Sequence, residues 1–174
     1  PYENHSVPGL ELPAHIETNE VFCSHDHADH NGAELIQSSH DNTWSVHFLT
    51  VPHDDESGKK RGFCRITCVD VNGVSVVHMG DIGRDLSEEE YERLKGTDIL
   101  MIPVGGYYTI DAETAHQIVE RLHPSLTLLM HYRDGKIGYD VLADITDICQ
   151  TVFPECRRMD SSHFTYKPDN ISVI

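Results

Sequence analysis

The chain has 174 residues, the length of one domain with a sizeable core, and is read as a single domain over 1–174. Its 29 acidic and 13 basic residues give a net charge of −16, which repels phosphate backbones and anionic bilayers. Nucleic acid and membranes are therefore set aside as partners, and a small-molecule substrate is expected.

Residues 1–18 carry three prolines and no sustained period, and read as irregular. The chain opens on proline rather than methionine, so an upstream piece is expected to be missing. "EVFCS" (20–24) is a short apolar run, a candidate buried strand, and "GAELIQSS" (32–39) reads as a short helix. "WSVHFLTV" (44–51) is rich in β-formers. "FCRITCVDV" (63–71) alternates apolar and polar residues, Asn72-Gly73 supplies a type I′ turn, and "VSVVHM" (74–79) returns as the second strand of a hairpin. Ser87 and Glu90 form a capping box for a helix that runs to Lys95 and stops at Gly96. "DILMIPV" (98–104) is a buried strand. Asp111 caps a second helix with Ala115, Ile118, Val119 and Leu122 on one face, ended by Pro124. "LTLLM" (126–130) is another strand. "YDVLADITDICQTV" (139–152) reads as a third amphipathic helix through Val141, Ile145, Ile148 and Val152. Strands alternating with helices around a central hairpin give an α/β fold with a mixed sheet.

Five cysteines (Cys23, Cys64, Cys68, Cys149, Cys156) form no C-x-x-C pair and sit mostly in apolar runs. They read as reduced core thiols of a cytoplasmic protein. Cys23 is expected to point into the core.

The chemistry gathers where strands end, which is where open α/β sheets bind ligands. "EVFCS" is followed by His25-Asp26-His27-Ala28-Asp29-His30, "HFLTVP" by His53, "VVHMG" by Asp81 and "LTLLM" by His131. Residues i and i+2 of an extended segment point the same way, so His25 and His27 can grip one ion, while Asp29 and His30 can face a second. Imidazole and carboxylate without thiolate favour zinc, manganese or iron. Two such ions bridged by a carboxylate and a water make a hydrolytic centre.

"SHDHADH", "VPHDD", "HMGDIG", "IPVGGYYTID" and "LLMHYR" resemble, in order, the metal-binding motifs of the metallo-β-lactamase superfamily. The branch they look most like is that of the ascorbate-6-phosphate lactonases. The resemblance covers about residues 20–133. It implies a four-layer αββα sandwich of mixed sheets with two divalent ions, zinc or manganese, at its edge. It places His25, His27 and His53 on the first metal, Asp29, His30 and His131 on the second, and Asp81 between them. The implied nucleophile is a metal-bridging hydroxide attacking an ester, lactone or phosphodiester of a small molecule, with Asp29 and Asp81 as catalytic residues. Asp29 would orient the hydroxide and accept its proton. Family chains usually begin with a strand pair that has no counterpart here. The first strands of one sheet are therefore expected to be absent, or supplied by a partner chain or a second copy.

Two rival readings share this scaffold. Diiron members carry out redox chemistry, but usually hold a carboxylate where this chain has His27. A non-catalytic, metal-stabilised interaction protein is the other. His78 reads as an outer partner or a packed residue rather than a ligand. His47, mid-strand, reads as packed, and His116, His123 and His163 as ordinary helix or loop residues. Gly105 and Gly106 allow close backbone approach, Tyr107 or Tyr108 is a candidate pocket wall, and Asp54 and Tyr132 are candidate outer partners.

Overall fold

The structure, a computed structural model, describes residues 1–41, 43–161, 163, 165–166 and 172–174. Among the described residues eight strands form in chain order: β1 (Glu17–Thr18), β2 (Gln37–Ser38), β3 (Ser45–Pro52), β4 (Phe63–Val71), β5 (Val74–His78), β6 (Ile99–Pro103), β7 (Leu126–Met130) and β8 (Ser172–Val173). Among the described residues three α-helices intervene: α1 (Glu88–Arg93), α2 (Ala112–Leu122) and α3 (Ile145–Thr151). Strands β3 to β8 form one mixed sheet in sequence order, and β1 and β2 pair separately.

The pairing sets strand direction. β3 runs antiparallel to β4 and β4 antiparallel to β5, so β3 and β5 point the same way. β6 and β7 are parallel to β5. The C-terminal ends of β3, β5, β6 and β7 therefore open on one edge of the sheet. The hairpin between β4 and β5 turns at Asn72 and Gly73, both at positive φ (51° and 83°), as a type I′ turn demands.

One face of the sheet supplies the core. Leu49 and Val51 on β3, Cys64, Ile66 and Cys68 on β4, Val77 on β5, and Leu100 and Ile102 on β6 are all buried. Alternate positions such as Phe48, Val69, Val76 and Met101 are exposed or half-buried, the period of two that a pleated sheet imposes. Ala115 and Ile118 of α2 pack into this core, with Val119 and Leu122 at its margin. Burying an isoleucine such as Ile118 contributes about 1.5–3 kcal/mol. The Ser87–Glu90 box caps α1 as its sequence predicts, and the helix closes at Leu94, short of Lys95.

Several expectations are corrected. Residues 20–24 make no strand. The Ser24 carbonyl accepts one bond from the Arg65 N–H (2.8 Å), and no ladder continues from it. Cys23 is only half-buried. Residues 33–35 make a single 3₁₀ turn, after which the chain extends into β2. The third helix spans only Ile145–Thr151, capped by Asp144. Before it, the Leu142 N–H closes a turn on Tyr139 O, Ala143 N–H bonds to Gly105 O, and Arg133 N–H to Ala143 O, so a turn and tertiary partners take the place of helical bonds. Val141 is exposed rather than on a buried stripe. His47 is exposed, not packed. Cys149 and Cys156 are joined as a disulfide, with Cα atoms 5.6 Å apart, whereas Cys23, Cys64 and Cys68 are free thiols.

Candidate metal centre

The shared strand edge brings the polar side chains together. His53 follows β3, Asp81 lies three residues past β5, and His131 follows β7. Residues 24–30 cross the end of β5, held there by the Ser24–Arg65 bond. Gly83 and Gly105 permit the close approach. A Cβ at Gly83 would lie 2.2 Å from the Asp54 nitrogen, and one at Gly105 would lie 2.0 Å from the His131 carbonyl oxygen. His131 itself takes a left-handed backbone conformation (φ 58°), a strained choice for a non-glycine residue. That turn points its imidazole back to the site.

Asp81 sits at the centre. Its Oδ2 lies 3.1 Å from His30 Nε2, 3.3 Å from His131 Nε2 and 3.6 Å from His53 Nε2. The carboxylate is 3% exposed. Burial alone would raise its pKa, but the His131 and His30 hydrogen bonds and charges outweigh burial and hold it well below the usual carboxylate range. Asp29 Oδ2 approaches His30 Nε2 to 3.6 Å. On the other side, His25 Nε2 and His27 Nδ1 are 2.9 Å apart, and Ser24 Oγ lies 2.9 Å from His25 Nδ1. Five imidazole rings form one cluster, with the His25 ring 4.4 Å from His27 and His30 and 4.6 Å from His53, and His30 stacked on His131 at 5.9 Å.

Burial pushes His25 down to about 4, against the pull of the Asp81 charge, and burial lowers His53 as well. Both imidazoles are neutral at pH 7 and have a lone pair to offer. For His131 burial is outweighed by the Asp81 hydrogen bond and charge, and its pKa is raised.

The donors fit a divalent cation. Three groups of ligand atoms lie within 4.8 Å of one another: His25, His27 and His53; His25, His30 and Asp81; and Asp29, His30 and His131. All donors are nitrogen or carboxylate oxygen, the set that suits zinc or manganese. The Nδ1 atoms of His53 and His131 are buried without a hydrogen-bond partner. Among the described residues each of these rings therefore turns Nε2, not Nδ1, to a polar partner, the Asp81 carboxylate. The structure thus assembles all seven residues that the sequence nominated. It leaves His78 outside every group; its Nδ1 accepts the Gly80 N–H at 3.0 Å.

One cleft opens on the cluster, and a second lies along the loops that follow His53 and Asp81. One, of about 550 Å³, lies against Asp29, His30, Asp81 and His131, and is walled by Tyr2, Val7, Leu10, Ile137 and Tyr139. The other, of about 500 Å³, is polar and includes Arg61, Tyr107 and Tyr108. Tyr108 packs edge-on against Tyr139 at 6.0 Å, so the two clefts meet across that ring contact. Sequence reading missed Tyr139 and Arg61. Tyr139 was assigned to a helix, and Arg61 lay in a polar loop with no pattern to single it out.

Asp54, buried beside His53, organises that loop. Its carboxylate accepts backbone N–H bonds from Glu56, Gly58, Lys60 and Arg61, each at 2.8 Å. Burial opposes ionisation, but the four donors bring its pKa down to about 2.

Residues 8–131 match a family model described as the beta-lactamase superfamily domain. The chain belongs to the β-lactamase superfamily. Among solved structures, a metallo-β-lactamase superfamily protein from Thermotoga maritima superposes with a TM-score of 0.71 at 22% identity, covering 91% of this chain and 81% of that one. This β-lactamase superfamily member therefore has the metallo-β-lactamase α/β fold with its mixed sheet. A curated relative from Thermoplasma acidophilum, named a metal-dependent hydrolase, is 33% identical over 60 residues, which is 34% of this chain and 27% of the relative. A similarly named protein from Thermofilum pendens is 24% identical over 144 aligned positions, covering 64% of this chain and 61% of that protein. The chain thus spans from about a quarter to three fifths of the length of these two curated relatives. No helix among the described residues is long and apolar enough to cross a membrane.

Proposed function

We propose that this superfamily member is a metal-dependent hydrolase with two divalent ions, zinc or manganese, that cleaves an ester, lactone or phosphodiester bond of a small molecule. The observation that carries the reading is the ionised Asp81 carboxylate, almost fully buried, with three imidazoles from three separate segments turned to one of its oxygens. The names of the Thermoplasma and Thermofilum relatives support it. His25, His27 and His53 would hold one ion, Asp29, His30 and His131 the other, and Asp81 would serve both.

Divalent ions at such a centre lower the pKa of water and polarise the bond under attack. The chain's own groups do the rest. Asp29, at the border of the apolar cleft, orients the water and accepts its proton. Asp81, fixed between His30 and His131, keeps the two ligand groups in register. Val7, Leu10 and Ile137 exclude bulk water and seat the substrate body. A net charge of −16 argues for a small molecule rather than a polynucleotide. Within this reading the finer assignment is to the lactonase-like branch.

Asp81→Ala and His131→Ala should each lower turnover on a panel of esters, lactones and phosphodiesters. The loss should exceed the roughly 10- to 100-fold typical of outer-sphere partners. Wild-type turnover in both variants would contradict the proposal, and a preference for lactones over open esters would support the lactonase-like branch.

A further inference from the structure

The polar cleft next to the centre holds three cations, Lys60, Arg61 and Arg84. Two are already neutralised. Lys60 Nζ lies 2.7 Å from Glu56 and 3.3 Å from Asp55, and Arg84 makes a two-pronged pair with Glu90, both arms at 2.8 Å. Arg61 differs. Its backbone N–H is tied to Asp54, but its guanidinium has no carboxylate partner among the described residues and rests over the Tyr108 ring, 5.4 Å from the centroid.

The cleft's acids are engaged elsewhere. Asp54 is saturated by four backbone N–H groups, and Asp55 is paired to Lys60. Asp85 accepts from Tyr91 Oη (2.7 Å) and the Leu86 N–H, and Asp111 caps α2. The acids keep their negative charge, but Arg61 is the cation of this cleft that has no carboxylate partner among the described residues. Arg61 is half-buried at the cleft wall, so its guanidinium can meet an anion without first breaking an ion pair. Arg61 is also near the centre. Its charge acts on His53, and Tyr108 beneath it touches Tyr139 of the metal-side cleft.

We propose that Arg61, supported by Tyr108, is a specificity-determining residue that binds an oxyanion, carboxylate or phosphate, carried by the substrate at a distance from the bond that is cleaved. The word substrate here rests on the hydrolase reading; the anion subsite itself does not. The planar fork suits a bidentate oxyanion, and the tyrosine face holds the guanidinium in place. The loop folded around Asp54 fixes both His53 and Arg61, so anion site and metal ligand are set by one carboxylate.

The test uses zinc-loaded wild type, Arg61→Ala and Arg61→Lys. Each is titrated calorimetrically with inorganic phosphate and with acetate. Each is also assayed with p-nitrophenyl acetate and mono-p-nitrophenyl succinate, a neutral and an anionic ester with the same leaving group. Arg61→Ala should weaken at least one anion by about tenfold, the low end of what a lost charged hydrogen bond costs, with Arg61→Lys between. The arm that responds tells phosphate from carboxylate. For a carboxylate site, the ratio of kcat/KM for the succinyl over the acetyl ester should fall by about as much, mainly through KM. Affinities for both anions within about twofold of wild type in Arg61→Ala would overturn the inference, even with both esters turned over. Arg61-dependent anion binding with no ester hydrolysed would uphold the subsite and count against the hydrolase reading.

Discussion

Asp54 shows how much one side chain can set. The residue after His53 carries no ligand role, yet its carboxylate gathers four N–H groups of the loop 56–61 and the His53 N–H bonds Gly62 O across the same turn. An asparagine there keeps the shape but offers two donors where the backbone needs acceptors. Asp54→Asn should lower the melting temperature by several degrees and weaken metal binding about 10- to 100-fold, as outer partners of metal ligands typically do. Thermal melting and metal titration check it; a variant matching wild type in both would show that the loop holds itself. The seven clustered residues were legible in the sequence, because a dense H-x-H-x-D-H run and three strand-end residues leave a trace in spacing. Arg61 and Tyr139 left none. Their roles come from where two loops meet, and loop paths carry no periodicity.

The elements divide in the same way. The β4–β5 hairpin was readable because Asn-Gly fixes its turn locally, and α2 because its apolar stripe repeats at helical spacing. Residues 139–144 misled, since their apolar spacing fits a helix while Leu142 closes a turn on Tyr139 and Ala143 bonds to Gly105 and Arg133 instead. Residues 20–24 misled because an apolar run needs a neighbouring strand to become a ladder, and among the described residues the Ser24 carbonyl makes a single backbone bond to a strand, from the Arg65 N–H. The capping box of α1 was local and was legible, but its extension was not. Glu90 accepts the Ser87 N–H at 2.7 Å and also both arms of Arg84. That ion pair holds Glu90 below its ordinary value of 4.5. A lowered carboxyl pKa adds stability that is present above the unfolded value and lost as the pH falls through the folded one. Glu90→Gln should therefore cost about 0.5–2 kcal/mol near neutral pH, in the range of a lost cap. The difference from wild type should shrink as the pH falls below the ordinary value of 4.5 and through the lowered folded one. Urea melts at pH 7 and pH 3.5 would show this; an equal gap at both would refute the pairing.

For the whole molecule, the sheet explains the site. Because β3, β5, β6 and β7 point one way, four chain segments far apart in sequence deliver their ends to one edge. The clustered side chains then need only small adjustments: a glycine at 83, another at 105, and a left-handed turn at His131. The mixed sheet was legible from alternating strands and helices; the Cys149–Cys156 pairing was not, because seven residues of separation across the end of α3 resemble no spacing motif. An acidic surface around a centre that holds the buried Asp81 carboxylate favours cations, and Arg61, with no carboxylate partner among the described residues, marks where an anion would be admitted. The central claim is that seven residues hold two ions. Elemental analysis of the purified chain after zinc or manganese loading and desalting tests it most directly. Wild type should retain about two equivalents, and His131→Ala about one. Retention of no metal by wild type, or of the same content in both proteins, would contradict it.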